Sequence, residues 1–113
     1  AFNNLANLYQ RQKNYIAARQ AAEKALSLAP GHPGILDTLG WILVEQNQIP
    51  RALGLLNHAV TKAPTVPLLR YHYGVALARA GKNSEAKKEL SAAIENGLKA
   101  PELEYARASL KSL

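Results

Sequence analysis

The chain has 113 residues and no cysteine, which excludes disulfide bonds, thiol catalysis and cysteine–zinc sites. Its formal net charge is +6, from fourteen Lys and Arg residues against eight Asp and Glu, and this balance favours acidic proteins, anionic lipid or nucleic acid as partners. No stretch of about eighteen uncharged apolar residues is present, so the sequence encodes no transmembrane helix.

The positive charge is dispersed along the chain. Basic residues run from Arg11 to Lys111, and Lys87-Lys88 is the only adjacent pair. No basic cluster alternates with aromatic residues, as a nucleic-acid surface would require. We therefore interpret the charge as a solvated, Lys-rich surface, with weak binding of an anionic polymer as an alternative, and we do not expect nucleic-acid binding.

Methionine is also absent from the sequence. Because an open reading frame begins with methionine, we expect the chain to be a fragment of a longer protein. A targeting signal could lie elsewhere in that protein, so the sequence leaves the compartment open.

Apolar residues at helical spacing predict seven helices in chain order. Phe2, Leu5 and Tyr9 form the stripe of the first helix, and later helices repeat the same spacing. The connecting loops are short, so paired helices must lie antiparallel. The predicted helices cover residues 2–12, 15–28, 34–46, 50–63, 67–80, 84–96 and 102–112.

Prolines, one asparagine and one glycine mark the ends of these helices. A proline is tolerated in the first turn, where its missing N–H costs nothing, and it stops a helix when it follows the last turn. We expect Asn83 to be the N-cap of the sixth helix and Gly97 to end it. The first-turn prolines are Pro33, Pro50, Pro67 and Pro101, and the stopping prolines are Pro30 and Pro64.

Several residue types recur with one common period, of about 34 residues. Gly40 and Gly74 share this period, as do five of the six prolines, in the series Pro33, Pro67 and Pro101 and the pair Pro30 and Pro64. A glycine inside a helix costs about 1 kcal/mol relative to alanine, so we expect both glycines to lie where two helices pack too closely for a side chain. The alanines with the same period are Ala18, Ala52 and Ala86, and Ala25, Ala59 and Ala93.

These residues resemble the tetratricopeptide repeat (TPR), a helix–turn–helix unit with this period. The second repeat reads Leu36-x2-Leu39-Gly40-x2-Leu43, followed by Ala52-x3-Leu56. The resemblance implies an all-α fold, a superhelical α-α solenoid of three TPR helix pairs with a C-terminal capping helix. It divides the chain into repeats at 1–32, 33–66 and 67–100, with the capping helix at 101–113. Leu98 stands where the third repeat should have its closing proline.

Two segments carry a closer resemblance. Residues 36–46 and 70–81 are similar to bacterial TPR proteins of the exopolysaccharide and PEP-CTERM sorting systems. That resemblance implies a lipoprotein in the periplasm or at the outer membrane; without it, the expected compartment is the cytoplasm.

The TPR resemblance also implies that the first helix of each pair lines a concave surface. At about 100° per residue, Trp41 points roughly 140° away from Leu36 and lies off the core stripe. An aromatic patch with a polar rim suits a bound peptide, and amide side chains can pair with the N–H and C=O groups of an extended chain. The candidate partner-binding residues are Asn3, Asn7, Gln10, Arg11, Asp37, Trp41, Val44, Tyr71, Val75, Arg79 and Tyr105.

Each candidate has a structural alternative. Trp41 could pack against the neighbouring first helix, and both uses can coexist. Tyr71 and Tyr105 could pack on each other, because they lie one repeat period apart. Asn3 and Asn7 could be ordinary solvated residues.

Some TPR proteins hold the acidic C-terminal tails of chaperones with a clamp of lysines, asparagines and an arginine. The matching positions here hold Asn3, Asn7, Thr38, Leu68 and His72. Of these only Asn7 fits the clamp, and its lysines and arginine are missing. We therefore do not expect chaperone tails as partners.

Motifs for catalysis or metal binding are missing from the sequence, including G-x-S-x-G, H-E-x-x-H and the phosphate-binding loop. Its three histidines do not share a helix face, so we expect no metal site. Glu85 and Glu89 could form an acid–base pair, but a solvated charged face explains them more simply. We expect a non-catalytic scaffold without cofactors that binds a peptide or partner segment; the alternative is a purely architectural segment of a larger TPR array.

Overall fold

Seven α-helices make up most of residues 2–113, which are the residues described by the computed structural model. That range contains no strand. Every helix begins and ends within one residue of its predicted position, so the all-α prediction is confirmed. The helices are α1 (Phe2–Arg11), α2 (Tyr15–Leu28), α3 (Pro33–Glu45), α4 (Ile49–Lys62), α5 (Pro67–Arg79), α6 (Asn83–Glu95) and α7 (Glu102–Ser112).

The helices pack as three consecutive pairs, α1 with α2, α3 with α4, and α5 with α6. Three-residue turns join the helices of each pair and force them antiparallel. Successive pairs are joined through α2 on α3 and α4 on α5, while α7 packs on α5 and α6. Because α3 also contacts α1 and α5, the three first helices form one continuous side of the molecule. None of the described helices is long and apolar enough to cross a membrane.

The three turns within the pairs share one backbone geometry. Lys13, Asn47 and Gly81 occupy the same turn position in successive repeats, with φ of 59°, 60° and 78°. In each turn the next residue donates its N–H to a carbonyl five residues back, at 2.8–2.9 Å, which is the closing bond of a Schellman motif. Gly97 ends α6 in the same way with φ of 96°, as predicted.

Two predicted helix starts need correction. Asn83 is the first residue of α6, and Lys82 occupies the N-cap without a side-chain capping bond. The Lys82 carbonyl already accepts the first helical bond, from Ala86 at 2.9 Å, so the helix starts one residue early. Pro101 lies at the N-cap of α7, outside its first turn, because a separate turn from Lys99 to Leu103 precedes the helix. Pro33, Pro50 and Pro67 lie in the first turns of α3, α4 and α5, as predicted.

The two periodic glycines lie where helices touch. A Cβ at Gly40 would lie 2.7 Å from the Leu56 side chain, and one at Gly74 would lie 2.8 Å from that of Leu90. Both distances are too short for a real contact, so the predicted close packing is confirmed. The periodic alanines are likewise buried at these helix contacts.

Candidate partner-binding groove

The first helices of the three pairs line an open groove with a volume of about 910 Å³. Its lining residues recur every three or four positions along α1 and α3, so they form one face of each helix. Glu102, the first residue of α7, adds a carboxylate to the same groove. The lining comprises Asn3, Asn4, Asn7, Gln10 and Arg11 from α1, Gly34, Asp37, Thr38, Trp41 and Glu45 from α3, Leu68, Leu69 and His72 from α5, and Glu102.

A stacked and hydrogen-bonded cluster connects α3 to α5 within the groove. His72 Nδ1 lies 2.8 Å from Asp37 Oδ1. The carboxylate can only accept, so the imidazole N–H donates. Trp41 stacks on the His72 ring with a centroid distance of 4.1 Å and an interplanar angle of 17°. Since Asp37 and His72 are only 7% and 9% exposed, the cluster is a rigid part of the wall.

Tyr71 lies beside this cluster but is itself buried. Its ring centroid is 6.3 Å from that of Trp41 and 5.7 Å from that of His72. Burial raises the pKa of Tyr71, and the nearby charge of Glu102 raises it further. Trp41 packs against this aromatic neighbour and the core, and it also lines the groove. Packing between helices and a place in the groove wall therefore coexist at this residue.

Glu45 connects α3 to the first helix pair at the other end of the groove. Its carboxylate accepts hydrogen bonds from Gln10 Nε2 and, at 3.2 Å, from the Tyr15 hydroxyl. Desolvation, followed by the charge of Glu45, raises the pKa of Tyr15. Arg79 is also tied to α3, because its guanidinium donates to the Val44 carbonyl at 3.2 Å.

Two family models for the tetratricopeptide repeat match residues 1–64 and 43–110. The chain belongs to the tetratricopeptide repeat family. Each model covers more than half of the chain, and together they reach from α1 into α7. A comparison with curated proteins gave no match.

Solved TPR structures share the fold of this chain at low sequence identity. The first TPR domain of Spaghetti (RPAP3), bound to the HSP90 peptide SRMEEVD, aligns with a TM-score of 0.88 at 21% identity, over 98% of this chain and 86% of that one. The Yersinia enterocolitica secretion chaperone SycD, in complex with a peptide of YopD, aligns with a TM-score of 0.83 at 18% identity, over 98% of this chain and 88% of SycD. The Thermobaculum terrenum O-GlcNAc transferase aligns with a TM-score of 0.88 at 25% identity over 98% of this TPR chain. The aligned region is only 21% of the enzyme.

Six of the eleven predicted site residues line the groove: Asn3, Asn7, Gln10, Arg11, Asp37 and Trp41. The other five do not. Val44 is completely buried, and Tyr71 nearly so. Val75 packs against the cluster formed around Tyr71 and Leu90, Arg79 is bonded to the Val44 carbonyl, and Tyr105 is exposed on α7.

The buried candidates have a common physical cause. A helical projection from Leu36 assumes that side chains opposite the apolar stripe are exposed to solvent. In the structure α3 is covered by α1, α2, α4 and α5, so nine of its thirteen residues are buried. Position on a helix alone therefore could not separate Trp41 from Val44.

The repeat period could have found most of the lining residues that we did not predict. Asn4, Thr38 and His72 are one periodic series, and Gly34, Leu68 and Glu102 are another. Glu45 is the periodic equivalent of Arg11, which was predicted. Only Leu69 belongs to no such series within the groove. In residues 2–113 no group of three or more His, Cys, Asp or Glu is arranged to hold a metal ion.

Proposed function

We propose that this TPR chain is a non-catalytic scaffold that binds an extended peptide or partner segment in its concave groove. The observation that carries the proposal is the convergence of amide, aromatic and charged side chains from α1, α3 and α5 on one open groove of about 910 Å³. RPAP3 and SycD, which share this fold, are each seen with a bound peptide, and this supports the proposal.

The polar groups of α1 suit the backbone of an extended chain. Asn7 lines the groove and offers both a donor and an acceptor through its amide. Asn3 Oδ1 is buried and has no hydrogen-bond partner among residues 2–113, a costly arrangement that a donor from a bound segment would relieve. Trp41 and Leu68 supply apolar surface beside them. The wall around Trp41 is already fixed by the bond between Asp37 and His72, so little ordering is needed on binding.

A peptide selection can test the groove. Random dodecapeptides displayed on phage would be selected on the wild-type chain, and their affinities measured by isothermal titration calorimetry. We expect Asn7→Ala, which removes a groove amide, to weaken binding about 5- to 30-fold because a peptide hydrogen bond is lost.

Asn57→Ala is the matched control, because Asn57 is exposed on α4 and lies outside the groove. We expect it to bind like the wild type. Equal losses in the two variants, or a complete failure to select peptides, would argue against the groove.

A purely architectural role is the second candidate, and one observation favours it. Phe2 and Leu5 of α1 are 39% and 37% exposed, whereas Leu36 and Leu39, at the same repeat positions in α3, are 2% and 0% exposed. In α3 this face clusters with residues of α2 as well as of α4 and α5, so the α1 face would suit the second helix of another repeat. If the 113-residue chain selects no peptides while a longer TPR array that contains it does, this role is favoured.

From sequence resemblance we also propose a specific bacterial process. Residues 36–46 and 70–81 support a role in a bacterial exopolysaccharide or PEP-CTERM system, with a location in the periplasm or at the outer membrane. The genes beside the reading frame that encodes this chain test the proposal: export or sorting genes are expected there, and an unrelated neighbourhood would contradict it.

A further inference from the structure

We propose that the groove selects a cationic segment, an extended chain whose Lys or Arg side chains point into it. This inference rests on the proposed function and adds the chemical class of the occupant. It is not what the total charge of the chain would suggest, since a protein of net charge +6 should attract acidic partners.

The groove carries the opposite charge to the rest of the molecule. Asp37, Glu45 and Glu102 line it, and Arg11 is the only Lys or Arg among the lining residues. Three carboxylates against one guanidinium give a formal charge of −2 with histidine neutral, so the remainder of the chain carries +8. An electronegative groove on an electropositive molecule steers basic segments to this one surface and acidic segments elsewhere.

The carboxylates are spaced along the groove. Asp37 and Glu45 lie eight residues apart on one face of α3, which corresponds to about 12 Å along the helix axis. Lysines four residues apart in an extended chain are separated by about 13 Å and point to the same side. A segment with basic residues at alternate positions can therefore place one cation at Glu45 and another beside the Asp37–His72 pair, in which Asp37 is only 7% exposed.

One further group of the groove calls for a hydrogen-bond donor. Asn3 Oδ1 is buried and accepts no hydrogen bond from the part of the chain that the structure describes, and a Lys or Arg side chain has only donors to offer. Burial is the main cause of the raised pKa of Tyr71 and of Tyr15, and the nearby charges of Glu102 and Glu45 respectively raise it further, while Arg79 lowers that of Tyr71. The half-buried Trp41 adds an aromatic surface of the type that attracts cations.

An acidic occupant fits poorly for the same reasons. The positions that match a chaperone-tail clamp, Asn3, Asn7, Thr38, Leu68 and His72, all line the groove and include no lysine or arginine. An acidic peptide such as the one bound to RPAP3 would meet three carboxylates here with only Arg11 in compensation. The shared fold therefore does not imply a shared ligand class.

Three blocked nonapeptides test the charge preference, with Ser alternating with Lys, Gln or Glu. Trp41 is the only tryptophan, so a change in its fluorescence reports occupancy of the groove. We expect the Ser–Lys peptide to bind tightest and to weaken as salt is added.

Two double variants separate the groove charge from the total charge. Glu45→Gln with Glu102→Gln removes two groove carboxylates, and we expect Ser–Lys affinity to fall about 2- to 10-fold. Glu95→Gln with Glu104→Gln is the matched control. Glu95 is the last residue of α6, as Glu45 is of α3. Glu104 lies in the first turn of α7 together with Glu102. Both control residues are exposed and lie outside the groove. We expect less than about a twofold change from this control.

Each contrary outcome has a defined meaning. If the Ser–Gln or Ser–Glu peptide changes Trp41 fluorescence with equal or higher affinity, or if both double variants weaken binding equally, the cationic preference is refuted while groove binding stands. If none of the three peptides changes Trp41 fluorescence, the cationic preference is again refuted. Groove binding itself is then judged separately by the phage selection with Asn7→Ala and Asn57→Ala.

Discussion

At the scale of single residues, the glycines show how the same residue type serves different physical needs. Gly81 has φ of 78°, a left-handed conformation that side chains disfavour. Gly54 lies within α4, is exposed, and would place a Cβ in open space. The backbone conformation favours glycine at position 81, although Lys13 and Asn47 occupy the equivalent turn positions, and it makes no such demand at Gly54.

Replacing each of these glycines by alanine should change stability in opposite directions. We expect Gly81→Ala to lower the free energy of unfolding by about 1 kcal/mol, because alanine is strained at positive φ. We expect Gly54→Ala to raise it by about 0.5–1 kcal/mol through helix propensity. Urea denaturation monitored by circular dichroism measures both, and two changes of the same sign would contradict this account.

At the scale of helices, packing within each pair depends on the sizes of two facing residues. Gly40 faces Leu56 in the second pair, and Gly74 faces Leu90 in the third. At the same repeat positions, the first pair has Ala6 and Ala22, both fully buried. A larger residue on the first helix is thus matched by a smaller one on the second.

This size relation predicts coupling between the two positions. Gly40→Ala alone should cost about 1–3 kcal/mol, because its Cβ would clash with Leu56. Leu56→Ala alone should cost about 2–5 kcal/mol through the cavity it leaves. The double variant reproduces the pair found in the first repeat, so we expect it to be more stable than the sum of the single effects implies. Strict additivity in a double-mutant cycle from urea denaturation would contradict the relation.

The helices were more predictable from sequence than the groove, and the difference is physical. Pro33 and Gly97 act through local backbone chemistry, which is readable in the sequence itself. The accessibility of Val44 depends on neighbouring helices, which no helical projection contains. His72 was considered as a possible metal ligand and as a clamp position, and its bond to Asp37 joins residues 35 positions apart. Such partners can be recognised as neighbours only when the successive repeats are aligned with one another.

At the scale of the whole molecule, the two ends of the solenoid differ in chemistry. The first pair has an alanine core, made by Ala6, Ala18, Ala21 and Ala22, and its outer face exposes Phe2 and Leu5. At the other end, the stripe positions of α7 are held by Glu104, Arg107 and Lys111, all of them exposed. The buried residues of the first pair are all alanines, whereas those of the second and third pairs include leucines, so less apolar side-chain volume is buried in the first pair.

Hydrogen exchange should reveal this difference. In a linear array each pair is held by its own packing and by its neighbour, so the pair with the weaker core opens most easily. We expect amides of α1 and α2 to exchange faster than those of α3 and α4 when followed by NMR or mass spectrometry. Uniform protection from α1 to α4 would contradict the expectation.

The position of α1 in the groove gives this local opening a consequence for recognition. Asn3, Asn7, Gln10 and Arg11 form one wall, and that wall exists only while α1 is closed on α3. A ligand that contacts both helices can bind only the molecules in which α1 is packed on α3. The apparent dissociation constant therefore equals the intrinsic one divided by the fraction of such molecules. A second helix pair stacked on the exposed face of α1 would raise that fraction and tighten binding without touching the ligand.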